Sequence, residues 1–291
     1  MSGYCGRFAP SPSGPLHFGS VVAALGSWLA ARAAAGRWLV RMEDIDPPRE
    51  KPGAAAAILR TLEALGLAWD GPILYQSTRI EAYRAALARL RTDGHTFHCR
   101  CSRKNIGESP YPGTCRTLGL TAGPRTAVRV RVPDETIVLE DALQGRYAQA
   151  LASAVGDFVI WRADDQPAYH LAVVVDDAWQ DVTDIVRGSD LLSSTPRQIL
   201  LQRLLGLPHP NYLHLPLALD HDGAKLSKQT LAAPVDGIPP AATLVAALGF
   251  LGQEPPRELA RATVSEVLAR ALAHWTPARV PRASRIVGPI D

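Results

Sequence analysis

Apolar and polar positions divide the chain into elements of two different periods. Gly6 to Ala9 reads as a short strand, followed by the turn-rich run Pro10-Ser11-Pro12-Ser13-Gly14-Pro15. From about Gly19 to Ala35, Val21, Val22, Leu25, Trp28 and Leu29 recur at helical spacing, and Gly36 ends the pattern. Trp38 to Met42 is the next strand. Strand, loop, helix and strand make one βαβ unit, which predicts a parallel sheet and an α/β fold.

The pattern continues with helices over Ala54 to Leu65 and Arg79 to Arg91. Strands are predicted over Thr126 to Val132, Asp157 to Arg162, His170 to Val175 and Leu213 to Leu219, with a helix over Pro196 to Leu205. Pro234, Pro239 and Pro240 mark a linker, and the tail from Ala241 is mostly helical. The expected organisation is residues 1–95 as the first half of a catalytic domain and 96–124 as a metal-binding insert. Residues 125–232 form the second half, and 233–291 a short C-terminal helical domain.

Composition narrows the class. With 291 residues, 47% hydrophobic and 20% charged, the chain is long enough for a substantial core and has the balance of a globular protein. No apolar run is long enough to span a bilayer, and the N-terminus shows no basic leader with an apolar core, so a cytoplasmic location and no membrane partner are expected. The net charge of +3 is mild, but its distribution is not. Arginines crowd the stretch from Arg79 to Arg131, opposed within it only by Glu81, Asp93 and Glu108. Such a run fits either a polyanion bound at one face or a solvated arginine-rich surface.

Of the four cysteines, Cys99, Cys101 and Cys115 cluster and Cys5 stands apart. Clustered thiols in an intracellular chain point to metal, and three of them supply three ligands of a tetrahedral zinc. His95, His98 and Tyr111 are candidates for the fourth.

Two further segments carry chemistry. His17-Phe18-Gly19-Ser20 joins the first strand to the first helix, where free N–H groups and the helix dipole favour phosphate. Gly19 allows close backbone approach, and His17 can donate to a phosphate oxygen. Lys225-Leu226-Ser227-Lys228-Gln229 offers two mobile cations in a loop. Taken alone, the first reads as a helix cap and the second as a solvated loop.

Together, in this order, the two segments resemble the paired signatures of the class I aminoacyl-tRNA synthetases, departing from the archetype at Ser20 and Gln229. The segment Arg7 to Gly19, with Arg41-Met42-Glu43-Asp44-Ile45-Asp46, Tyr75-Gln76-Ser77 and Val186-Arg187-Gly188-Ser189-Asp190-Leu191, resembles the glutamyl branch. The resemblance implies a Rossmann-like core that uses ATP, with Mg²⁺, to adenylate glutamate. It implies ATP contacts from His17, Gly19, Ser20, Lys225, Ser227 and Lys228, with His17, Gly19, Lys225 and Lys228 acting in catalysis. It implies a glutamate pocket of Arg7, Phe8, Ala9, Pro10, Ser11, Glu43, Tyr169 and Arg187. Residue chemistry agrees: arginine forks suit carboxylates, and Glu43 suits the ammonium.

Cys-x-Cys followed by Tyr-x-x-x-Cys resembles the short paralogues of glutamyl-tRNA synthetase that act on queuosine. That likeness implies a structural zinc held by Cys99, Cys101, Tyr111 and Cys115. Only about sixty residues follow Lys228, too few for the anticodon-reading domain of a full synthetase. The resemblance to those paralogues implies queuosine in the anticodon loop of tRNA(Asp) as the acceptor and L-glutamate activated without tRNA, and a monomer is expected. The alternatives are a truncated synthetase charging a tRNA 3′ end and a non-catalytic tRNA-binding paralogue.

Overall fold

The computed structural model describes residues 3–107, 110–220, 223 and 234–287. β1 (Cys5–Phe8) leads through α1 (Phe18–Ala33) to β2 (Arg37–Met42), and α2 (Ala54–Ala64) to β3 (Leu74–Tyr75). These three strands form a parallel sheet in the order β1-β2-β3. α3 (Ile80–Thr92) then enters an insert made of β4 (Thr96–Cys99), α4 (Arg103–Ile106) and β5 (Ala127–Val130). β6 (Thr136–Asp141) and β7 (Gly145–Ala150) form a hairpin, followed by α5 (Leu151–Ala154) and β8 (Val159–Trp161).

The second half runs α6 (Tyr169–Trp179), β9 (Asp184–Gly188), α7 (Thr195–Leu205), β10 (Asn211–Leu215) and β11 (Ala218–Leu219). α8 (Pro240–Phe250), α9 (Val264–His274) and β12 (Arg285–Ile286) complete it. β10 lies parallel between β6 and β9, and the insert strands pair separately and antiparallel as β4-β5-β8. Among the described residues no helix is long and apolar enough to cross a membrane.

The β1-β2-β3 sheet and the mixed sheet β7-β6-β10-β9 meet at β1 and β9. There the Thr183 N–H donates to the Cys5 carbonyl at 2.9 Å, and the Cys5 N–H donates to Thr183 Oγ1 at 2.8 Å. Strands run β1-β2-β3 away from this seam on one side and β9-β10-β6 on the other. Such a reversal of strand order opens a crevice at the strand C-termini, the position where doubly wound sheets bind ligands. Helices cover both faces. Because alternate strand residues face opposite ways, Val186 joins the cluster with α1, α8 and α9, whereas Ile185 joins the cluster with α3, α6 and α7.

Three sequence expectations change. His170 to Val175 belongs to α6, not to a strand. The short apolar run is ambiguous by pattern, and burial on several sides of the helix, from Leu171 to Val174 and again at Asp176 and Asp177, removes the polar face that marks a helix. Leu213 to Leu219 is interrupted at Pro216 and Leu217, giving β10 and β11. The hairpin β6–β7 is an addition. Ile137, Leu139 and Asp141 face inward, and the Asp141 side chain accepts from the Leu143 and Gln144 N–H groups to build its turn.

The basic stretch is partly internal. Arg79 pairs with buried Asp176 at 2.7 Å, Arg116 lies 3.6 Å from Asp157, and Arg84 reaches Asp165. The opposing acids come from later in the chain, so the local imbalance overstated the free positive charge.

Candidate active site and metal centre

A cleft of about 720 Å³ opens at the seam. Its wall includes Arg7, Phe8, Ala9, Pro10, Ser11, His17, Gly19, Ser20, Glu43, Tyr169 and Arg187, so eleven residues singled out from sequence converge from β1, α1, β2, α6 and β9. Lys225, Ser227 and Lys228, with Leu226 and Gln229, lie outside the described residues. The chain leaves for that segment past Ala218, which lines the cleft, and returns at Pro234, which bridges to His17.

His17 is the N-cap of α1, and its Nδ1 accepts from the Ser20 N–H at 3.4 Å. Capping and facing the cleft are thus one arrangement. A Cβ on Gly19 would stand 3.2 Å from the His17 ring, so glycine leaves the imidazole its place.

Arg187 is held on three sides. Its Nε donates to His214 Nε2 at 3.1 Å, and its Nη2 donates to Thr195 Oγ1 at 2.9 Å and Gln198 Oε1 at 2.8 Å. Its Nη1 is buried and has no hydrogen-bond partner among the described residues. His214 is fully buried and meets Asp141 at 2.6 Å through Nδ1. Burial lowers the His214 pKa; the Asp141 contact opposes that and the Arg187 charge adds to it. A neutral ring with its proton on Nδ1 satisfies both neighbours, leaving Nε2 to accept from the guanidinium.

Arg7 and Glu43 belong to a buried ion network. The Asp177 carboxylate accepts from Arg7 Nε at 3.1 Å and Arg41 Nη1 at 2.8 Å, and Arg41 also pairs with Glu43 at 3.4 Å. Burial pushes the Glu43 carboxyl up to about 7, against the pull of Arg41 and Arg7. Burial likewise raises Tyr169, with Glu43 contributing. Asp176, which precedes Asp177 in α6, accepts from Gln76, Arg79 and Tyr83 at 2.7–2.8 Å.

Sequence reasoning missed Arg41, Asp141, Asp177 and His214 as supports. The adjacent acids ending the apolar run Val173-Val174-Val175 were the available signal, because paired acids in such a run need cationic partners.

In the insert, the sulfurs of Cys99, Cys101 and Cys115 all lie within 4.8 Å of one another, with Cys101 and Cys115 at 3.5 Å. Tyr111 Oη is 3.5 Å from Cys99 Sγ. Tetrahedral zinc with Zn–S near 2.3 Å and Zn–O near 2.0 Å requires edges of about 3.8 Å between sulfurs and about 3.5 Å from sulfur to oxygen. The donor set fits. His98 alternates with Cys99 along β4 and meets Arg91 at 2.7 Å instead. Tyr111 is pinned at its backbone: its N–H donates to the Val155 carbonyl at 3.2 Å, and a Cβ on Gly156 would stand 2.5 Å from the Tyr111 carbonyl oxygen.

The family of class I tRNA synthetases (E and Q), catalytic domain, matches residues 5–110 and 116–260. The glutamyl-Q tRNA(Asp) synthetase of Pseudomonas aeruginosa PAO1 is 54% identical over 287 residues, covering 98% of each chain. That of Dechloromonas aromatica is 56% identical over 299 residues, covering 99% of each. A glutamate tRNA ligase from Elizabethkingia meningosepticum, solved with its amino acid, shares the fold with a TM-score of 0.82 at 24% identity, over 98% of this chain and 67% of its own. The chain therefore belongs to the class I tRNA synthetases of the glutamate and glutamine type and, within them, to the glutamyl-Q tRNA(Asp) synthetases.

Proposed function

We propose that the protein activates L-glutamate with ATP, without tRNA, and transfers the glutamyl group to queuosine in the anticodon loop of tRNA(Asp). The carrying observation is the convergence of Arg7, Arg187 and Glu43 beside the N-terminus of α1 in one cleft. Two arginines match the two carboxylates of glutamate, Glu43 matches its ammonium, and the helix end matches phosphate.

In the first step an oxygen of the glutamate α-carboxylate attacks the α-phosphorus of ATP, and the bond to pyrophosphate breaks. The protein supplies position and charge rather than a nucleophile. His17, Gly19 and Ser20 hold phosphate, joined by Lys225, Ser227 and Lys228 from the segment outside the described residues. Mg²⁺ arriving with ATP would neutralise phosphate charge there. In the second step a queuosine hydroxyl attacks the adenylate carbonyl and AMP departs.

Glutamate-dependent ATP–pyrophosphate exchange in the absence of tRNA tests this reading. Exchange, followed by glutamate transfer to tRNA(Asp) only when queuosine is present, is the expected result. Exchange that waits for tRNA, or transfer to the 3′ end, would replace it with ordinary tRNA charging. ATP binding without exchange under either condition would point to a non-catalytic RNA-binding protein.

Glu43 makes the first step pH-dependent. Its carboxyl, raised to about 7, must be ionised to pair with the ammonium. The apparent KM for glutamate is expected to rise as pH falls below about 7, approaching tenfold per pH unit. Glu43→Gln should raise KM and flatten that profile; a profile that keeps its shape removes Glu43 from ammonium binding.

We further propose zinc as a structural ion on Cys99, Cys101, Tyr111 and Cys115, where it cross-links an insert with little core of its own. Cys101→Ser is expected to lower bound zinc below one equivalent and loosen the insert, read by metal analysis and limited proteolysis. Full zinc content in that variant would overturn the ligand set.

A further inference from the structure

A second space of about 650 Å³ lies between the cleft and the metal-binding insert. It shares Ser11, Glu43, Arg49 and Tyr169 with the cleft and reaches Cys101 and Ser102. Its volume falls within the range of about 300–1,000 Å³ typical of ligand pockets.

Polar groups lining it carry unmet hydrogen-bonding capacity. Gln76 is fully buried and gives its Nε2 to Asp176, but its Oε1 has no partner among the described residues. The same holds for His170 Nδ1, Arg197 Nε and Arg129 Nε. Gln76, Arg129, Arg162, His170 and Arg197 give this space a polar wall, which suits a polar occupant. Of the groups matched to glutamate and ATP, Arg7, His17, Gly19, Ser20 and Arg187 line the cleft alone, and Ser11, Glu43 and Tyr169 stand on the wall between the two spaces.

We propose that this chamber is the acceptor subsite, where Arg197 and His170 bind the diol-bearing nucleoside and present one hydroxyl to the adenylate across the shared wall. The inference rests on the functional reading above and adds where the acceptor binds and which side chains read it. An Arg197 N–H donates to a diol oxygen, and the His170 imidazole makes the second contact. Burial, then Arg197 and Arg187, hold His170 neutral with its pKa down to about 3, so it stands beside Arg197 without repulsion. The insert forms the far wall: the Arg129 guanidinium carbon lies 3.9 Å from the Tyr111 ring centroid. In the step itself the hydroxyl oxygen bonds to the glutamyl carbonyl carbon. The bond from that carbon to the AMP phosphate oxygen breaks, AMP leaves with the electron pair, and the hydroxyl proton passes to solvent.

Arg197→Met and His170→Phe test the assignment by comparing two steps in the full-length protein. Pyrophosphate exchange and its KM values for glutamate and ATP should stay within about twofold of the wild type. Glutamate transfer to queuosine-containing tRNA(Asp), and to the free queuosine nucleoside, should fall about tenfold or more, with Arg197→Lys recovering part of the loss. Unchanged transfer, or transfer and exchange falling in equal proportion, would overturn the assignment while leaving the functional reading intact. A wild type that exchanges pyrophosphate yet transfers nothing to queuosine would overturn both, and the wild type alone reveals that case.

Discussion

Arg187→Ala is expected to reduce glutamate-dependent pyrophosphate exchange about 100- to 1,000-fold. The side chain is buried, three of its contacts fix its plane, and Nη1 remains for a substrate carboxylate. Removing one partner of a buried charge pair costs roughly 2–5 kcal/mol, much of it from the charge left unmatched. The loss should fall on the KM for glutamate and on kcat/KM, with the KM for ATP nearly unchanged. Arg187→Lys should be intermediate, because an ammonium keeps the charge but lacks the planar fork held by His214, Thr195 and Gln198. Exchange in Arg187→Ala within about threefold of the wild type, a difference below 1 kcal/mol, would remove this residue from glutamate binding.

Asp177→Ala is expected to be strongly destabilising. Asp177 accepts from Arg7 and Arg41, both buried, so its removal leaves two guanidinium groups out of water with their main anion gone. Breaking a buried ion pair in this way costs about 3–5 kcal/mol, which for a chain of this size lowers Tm by about 10 °C. Glu81→Ala removes the exposed partner of Arg84 and should cost under about 1 kcal/mol. Urea denaturation of the two variants would decide, and equal losses would sink the argument. Burial alone would raise the Asp177 carboxyl, but Arg41 and Arg7 pull it below the usual carboxylate range. Its contribution is therefore present above about pH 4 and is lost as acid passes through the lowered value.

The fold class was legible because its signals are local. The first βαβ unit shows a strand, a helix with a continuous apolar stripe and a second strand, and the observed elements at Cys5–Phe8, Phe18–Ala33 and Arg37–Met42 follow that reading closely. The tail was legible for the same reason. The elements that sequence misread or passed over are those whose polar residues point inward. α6 carries buried Asp176 and Asp177, and β6 ends on buried Asp141. In each, a charged residue at a core position breaks the pattern that periodicity depends on.

The candidate site divides along the same line. Sequence by itself determined which residue types stand at the ends of β1 and β2, at the start of α1 and in the Cys-x-Cys and Tyr-x-x-x-Cys segments, and these motifs were enough to indicate phosphate, carboxylate and metal chemistry. Only the tertiary structure decided that Arg7 and Arg187, far apart in the chain, face one cleft, because the meeting of β1 with β9 brings them together. It alone decided that Asp177 and the Asp141–His214 pair hold those arginines in place, and that Tyr111 rather than His98 stands beside the thiols. Local pattern records which groups a segment offers, whereas the partner that offsets a buried charge is selected by packing between segments distant in sequence.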